Sequence, residues 1–156
     1  DNNPHDELEP EESAEIIINH VLKGIEMARN ANLPFDVIQF IRTHHGTSRV
    51  QYFLRKAKEK YGEENVKESD YTYPGPRPKT KEQAILMMAD AVEAASRSLK
   101  SYDRNSLDKL VEGIIDYQRS EGQFEEAPIT FKDLSEAKQV LKNALHSIYH
   151  QRISYN

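Results

Sequence analysis

The chain has no cysteine, so thiolate chemistry is closed to it and a metal must be held by His, Asp or Glu. Five positions carry the chemistry that remains: His20, His44, His45, Asp90 and Arg97. His20 lies in an apolar-periodic stretch, with Ile16 and Gly24 four residues to either side on the same helix face. A glycine one turn away leaves room beside the imidazole, although for a lone histidine a core residue bonded to a carbonyl is the preferred reading. His44 and His45 are adjacent and precede Gly46. Two neighbouring histidines on a helix point apart, but at a helix end both can turn to one centre. They then suit a divalent transition metal, or else form a polar helix terminus with a glycine stop. Asp90 sits among Leu86, Met87, Met88, Ala89, Ala91 and Val92. A carboxylate buried there requires a metal or an ion-pair partner, and Arg97 is a candidate partner two turns on. The two are roughly 10 Å apart along a helix axis. That spacing also suits a metal at Asp90 and a phosphate gripped by the guanidinium of Arg97.

Other pairs are weaker candidates. His5-Asp6 lies between Pro4 and Pro10 in polar sequence and reads as a loop pair. His146 and His150 are spaced as metal-binding helical histidines are, but Ser147, Ile148 and Tyr149 between them supply no acid, which favours a surface or packing role. There is no Ser-His-Asp or Cys-His arrangement and no glycine-rich phosphate loop.

These residues must be positioned by helices. Pro10 with Glu11 and Glu12 opens a helix whose stripe runs through Ile16, Ile17, Val21, Ile25 and Ala28 to about Ala31. Leu33-Pro34 breaks it, and a short helix follows that ends near His44-His45-Gly46. The pattern from Thr47 to Tyr61 is helical again, with Gly62 as its stop. Residues 63–79 form a Pro-rich loop in which Tyr71 to Pro78 carries three of the seven prolines, excluding helix and inner strand. Thr80 with Gln83 is a capping box for a helix to about Leu99. Asn105 or Ser106 caps another to about Arg119, and Thr130 with Asp133 opens a last one to about Gln151, before a frayed tail of residues 154–156. The fold class is therefore all-α, about six helices, over one domain of residues 1–156. With 37% apolar and 30% charged residues, the helices have wet outer faces or lack part of their packing partner. The net charge of -5 argues against broad binding to a nucleic-acid duplex. No apolar run reaches the ~18 residues of a membrane span and no signal peptide opens the chain, which points to an intracellular segment.

Five phrases in order carry a resemblance: Asn3-Pro-His-Asp6, Ser13-Ala-Glu-Ile-Ile-Ile-Asn-His20, His44-His-Gly-Thr47, Tyr73-Pro-Gly-Pro76 and Met88-Ala-Asp-Ala-Val-Glu-Ala-Ala95. Together they resemble the HD-domain phosphodiesterases on the cytoplasmic side of bacterial seven-transmembrane proteins, the PgpH type, over nearly the whole chain. The resemblance implies an HD-domain-like helical bundle, two divalent transition metals (iron or manganese), and hydrolysis of cyclic di-AMP to pApA. The ions neutralise phosphodiester oxygens and acidify the attacking water. It also implies a parent anchored in the bacterial inner membrane.

In that family the ligands are one upstream His, a His-Asp dyad, three further histidines and a downstream Asp. His20, His44 and His45 match the three histidines, and Asp90 the downstream Asp. The upstream His and the dyad precede the Asn-Pro-His-Asp phrase and have no counterpart here. The expectation is a domain without its N-terminal helices, holding one metal or none and inactive alone, with exposed apolar faces that favour self-association. Arg97 is placed for phosphate, and Tyr52, Tyr71 or Tyr73 for stacking on adenine, a tyrosine near prolines being as often simple packing. The alternative is a non-catalytic helical module that binds a nucleotide or a partner domain.

Overall fold

A computed structural model describes the backbone of residues 3–154 and the side chains of residues 3–150; residues 155 and 156 of the expected frayed tail lie outside the described residues. Among the described residues there are six α-helices: α1 (Pro10–Asn30), α2 (Phe35–Thr43), α3 (Gln51–Tyr61), α4 (Lys81–Ser96), α5 (Arg104–Ser120) and α6 (Phe131–Ser154). Among the described residues there is no strand, only an isolated antiparallel bridge between Arg49 and Thr72. No helix among them is long and apolar enough to cross a membrane. Contacts gather the chain into two compact units, Asp1–Pro76 and Arg77–Asn156.

In the first unit, α1 is the central element and packs against both α2 and α3. Pro10 occupies the first helical turn, where its missing N–H is no loss, and Glu12 accepts the Glu9 N–H at 3.1 Å. The apolar stripe of α1 supplies Ala14 to a core with Phe53, Leu54, Ala57 and Tyr71. The Glu9 carboxylate accepts from Lys60 and from Tyr61 at 2.9 Å, tying the start of α1 to the end of α3. His5 lies in a short 3-10 turn (Pro4–Glu7); its Nδ1 is 3.0 Å from the buried Ser13 Oγ and its ring lies against Phe53. The His5-Asp6 pair is thus structural on its histidine side.

Helix α3 starts at Gln51, four residues later than its periodicity suggests. The preceding residues are diverted to a strap: Val50 donates to the Tyr71 carbonyl at 2.7 Å and Tyr73 to the Ser48 carbonyl at 2.8 Å. Residues 63–79 hold two further 3-10 turns, Glu63–Asn65 and Glu68–Tyr71.

In the second unit α4, α5 and α6 pack on one another. Met87, Met88 and Val92 of α4, Leu107, Val111 and Ile115 of α5, and Leu134, Leu145 and Tyr149 of α6 form its core. Thr130 and Asp133 cap α6 reciprocally at 2.9 and 3.0 Å. The cap of α5 is Asp103, whose carboxylate accepts the Ser106 N–H at 2.8 Å, not Asn105 or Ser106 as expected. An aspartate two residues earlier satisfies the same orphan donors, with a full negative charge at the positive end of the helix.

Candidate metal centre

His20 projects from α1. Its Nδ1 contacts the Ile17 carbonyl one turn back. A carbonyl only accepts, so Nδ1 carries the proton and Nε2 bears the lone pair. His44 repeats the arrangement at the end of α2, with Nδ1–H donating to the Ile41 carbonyl at 2.6 Å. The two Nε2 atoms face each other at 3.4 Å. Two unprotonated nitrogens at that distance repel, and a metal ion bound by both turns the repulsion into two bonds. Metal-bound histidines characteristically donate their other ring N–H to a carbonyl or carboxylate, which fixes the tautomer. The residues present therefore fit a metal.

His45 completes the group. Ligand atoms of His20, His44 and His45 lie within 4.8 Å of one another. Helix α2 ends at Thr43, and Gly46 adopts a left-handed φ of 51°, so the two neighbouring histidines escape helical divergence and their ring centroids come to 4.0 Å. Burial, then the facing charges of His44 and His20, push the His45 imidazole down to about 3. His45 is therefore neutral at physiological pH, the form in which imidazole binds a metal.

Two supports hold His45. Ser48 donates through Oγ to the His45 carbonyl at 2.6 Å and through N–H at 3.0 Å, closing the turn after α2. Tyr73 stacks on the ring at 4.3 Å and 15°, and meets His20 edge-on at 6.0 Å. The strap hydrogen bonds at Val50 and Tyr73 put the tyrosine there. Tyr73 is 7% exposed and Tyr71 3%, so both pack inside the protein instead of presenting a face to a base. Tyr52 is exposed, with Lys56 Nζ 4.7 Å above its ring and Phe53 edge-on.

Gly24 has a different role from the one its spacing suggests. The space beside it is filled, not open: a Cβ there would lie 3.1 Å from Ile41 Cγ2. The glycine lets α2 approach α1, which carries His44 to His20.

Asp90 and Arg97 belong to the second unit. Asp90 is exposed on α4, whereas its neighbours Met87 and Met88 are buried. Met87, Met88 and Val92 take the covered side of the helix, while Leu86, one turn before Asp90, is exposed with it, so burial is not what marks this carboxylate. Arg97 follows the last residue of α4 and pairs with Glu93 at 3.0 Å, not with Asp90. Sequence reasoning missed Ser48 and the positioning role of Tyr73. A Ser three residues after His45 is a turn signal that would have found the first; nothing local would have found the second.

An HD domain family model matches residues 1–95. The chain is 42% identical over 153 residues to the cyclic-di-AMP phosphodiesterase PgpH of Bacillus subtilis, covering 98% of this chain and 21% of that protein. The Listeria monocytogenes protein of the same name is likewise 42% identical over the same share of each chain. The chain thus spans about a fifth of the length of the curated relatives it matches. The crystal structure of the L. monocytogenes phosphodiesterase PgpH HD domain in complex with cyclic-di-AMP is 40% identical, with a TM-score of 0.90 over 95% of this chain and 68% of that one.

Proposed function

This chain belongs to the HD-domain family, and from that premise we propose that it is part of a metal-dependent phosphodiesterase that hydrolyses cyclic di-AMP to pApA. The supporting observation is the triad of His20, His44 and His45, with two tautomers fixed by backbone carbonyls and two lone pairs left facing. Those three residues would hold one metal, and Asp90 would contribute to a second. Iron or manganese suits the all-nitrogen and oxygen donor set. Such metals supply Lewis acidity toward the phosphodiester and toward water.

The chain's own groups do the rest. The two carbonyls of Ile17 and Ile41 keep Nδ1 protonated and aim Nε2 inward. Tyr73 holds the neutral His45 ring flat. Arg97 grips a phosphate oxygen, exchanging an exposed ion pair with Glu93 that is worth little in water. Tyr52 offers its ring to adenine. Residues 1–156 act as one HD domain, with 63–79 as a loop within it, in a parent anchored in the bacterial inner membrane. Because the three histidines and Asp90 are only part of the family's ligand set, these residues alone do not turn over cyclic di-AMP.

Metal analysis of the purified chain after loading with Mn(II) or Fe(II) tests the reading. Bound metal that disappears in His44→Ala is expected. No metal in either protein would favour a non-catalytic helical module. Turnover is then compared between this chain and one extended upstream through the family's His-Asp dyad; equal rates would overturn the claim that the dyad is required.

A further inference from the structure

The second unit carries a polar groove that the metal centre does not use. Asn143, His146, Ser147 and His150 fall at i, i+3, i+4 and i+7, one stripe of α6, and Arg104 of the first turn of α5 completes a cavity of about 340 Å³. Among the described residues no carboxylate lines it. Further along α6 two lysines are paired with carboxylates of α5: Lys138 lies 2.7 Å from Asp116, and Lys142 2.7 Å from Glu112. Arg104 has no carboxylate partner among the described residues, in a chain whose net charge is -5.

We propose that this groove binds a phosphate-bearing small molecule. The chemistry lies in the donors. Arg104 presents a guanidinium that matches two phosphate oxygens. The Asn143 Oδ1 accepts from Gln139 at 3.2 Å, so its NH2 is the end left to give. His146 and His150 stand edge to face with centroids 6.4 Å apart, each with a ring N–H to donate, and Ser147 adds a hydroxyl between them. A groove of donors without acceptor charge selects an anion. The same i, i+4 histidines would chelate a transition metal on a bare helix, but here a cation would meet the Arg104 guanidinium and find no carboxylate. The groove is open, with Arg104, Asn143, Ser147 and His150 exposed and His146 half-buried, which suits the phosphate end of a small molecule held at the surface.

The test uses the 156-residue chain, isotopically labelled, with EDTA present so that the histidine triad is out of play. Imidazole resonances are followed while inorganic pyrophosphate is added at constant ionic strength. Saturable shifts of His146 and His150 are expected, with His5 unmoved as the internal control. Arg104→Gln, an exposed change, should weaken binding at least about tenfold, the loss of one charge-assisted bidentate contact. His150→Asn should do the same if the first variant is poorly folded by circular dichroism. Linear, unsaturable shifts, or an unchanged response in both variants, would overturn the proposal. So would a saturable response to Zn(II), in an arm without EDTA, with none to pyrophosphate.

Discussion

At the residue scale, the histidine triad makes two side-chain predictions and the phosphate contact a third. His45 is held neutral, at about 3, while its unfolded value is near 6.5. The unfolded chain therefore binds more protons between those values. Its contribution to stability is complete above pH 6.5 and is lost as pH falls toward 3. Urea unfolding of the metal-free chain at pH 7.5, 6.5 and 5 should show falling midpoints, and His45→Leu should flatten that slope; a parallel slope would sink the assignment. Tyr73 should act through His45. Tyr73→Phe keeps the stack, whereas Tyr73→Leu should weaken metal binding about three- to tenfold, the worth of an aromatic pair. Competition with a chromophoric chelator separates these outcomes; equal affinities in the two variants would return Tyr73 to simple packing. On the proposed function, Arg97→Ala should raise the KM for cyclic di-AMP while metal content stays constant. Lost metal with unchanged KM would mean that Arg97 supports the metal site instead.

At the scale of elements, the approach of α2 to α1 is the critical contact. Gly24→Val places a branched side chain where even a Cβ meets Ile41 at 3.1 Å. Overpacking of this kind costs about 1–3 kcal/mol. It should also move His44 away from His20, so metal affinity should fall tenfold or more while helical content is kept. Calorimetry of Mn(II) binding reads this directly, and undiminished affinity would show that α2 can relax. Helix existence was legible in the sequence because apolar spacing and caps are local. Pro10, Thr80 with Gln83 and Thr130 with Asp133 each begin a helix as expected. Other boundaries differ: residues 48–50 are taken by the strap, α5 uses the stronger cap at Asp103, and α4 ends at Ser96 instead of about Leu99.

At the scale of the molecule, large apolar side chains remain exposed, Phe35 at 72% and Phe131 at 80%. Contiguous apolar patches favour association, and these two side chains are the most exposed large apolar ones from which such a patch could be built. Sedimentation velocity over a range of concentrations should show a rising weight-average mass, and Phe131→Ser or Phe35→Ser should reduce the rise. A constant monomer would end the expectation. The match to the L. monocytogenes HD domain at a TM-score of 0.90 shows the helices arranged as in that family.

The sequence by itself determined the class of the protein: six amphipathic helices, no thiolate chemistry, and an ordered set of phrases specific enough to identify the HD family. Those signals are carried by residues within a turn or two of each other, or by the order of phrases along the chain. Tertiary structure alone decided which histidines meet and in what state. His20 and His44 are 24 residues apart, and their facing nitrogens depend on how closely α1 and α2 pack over Gly24. Tyr73 reaches His45 through hydrogen bonds between two loops. Asp90 lies exposed beside buried methionines because a helix separates adjacent residues by about 100°, and only packing selects which face is covered.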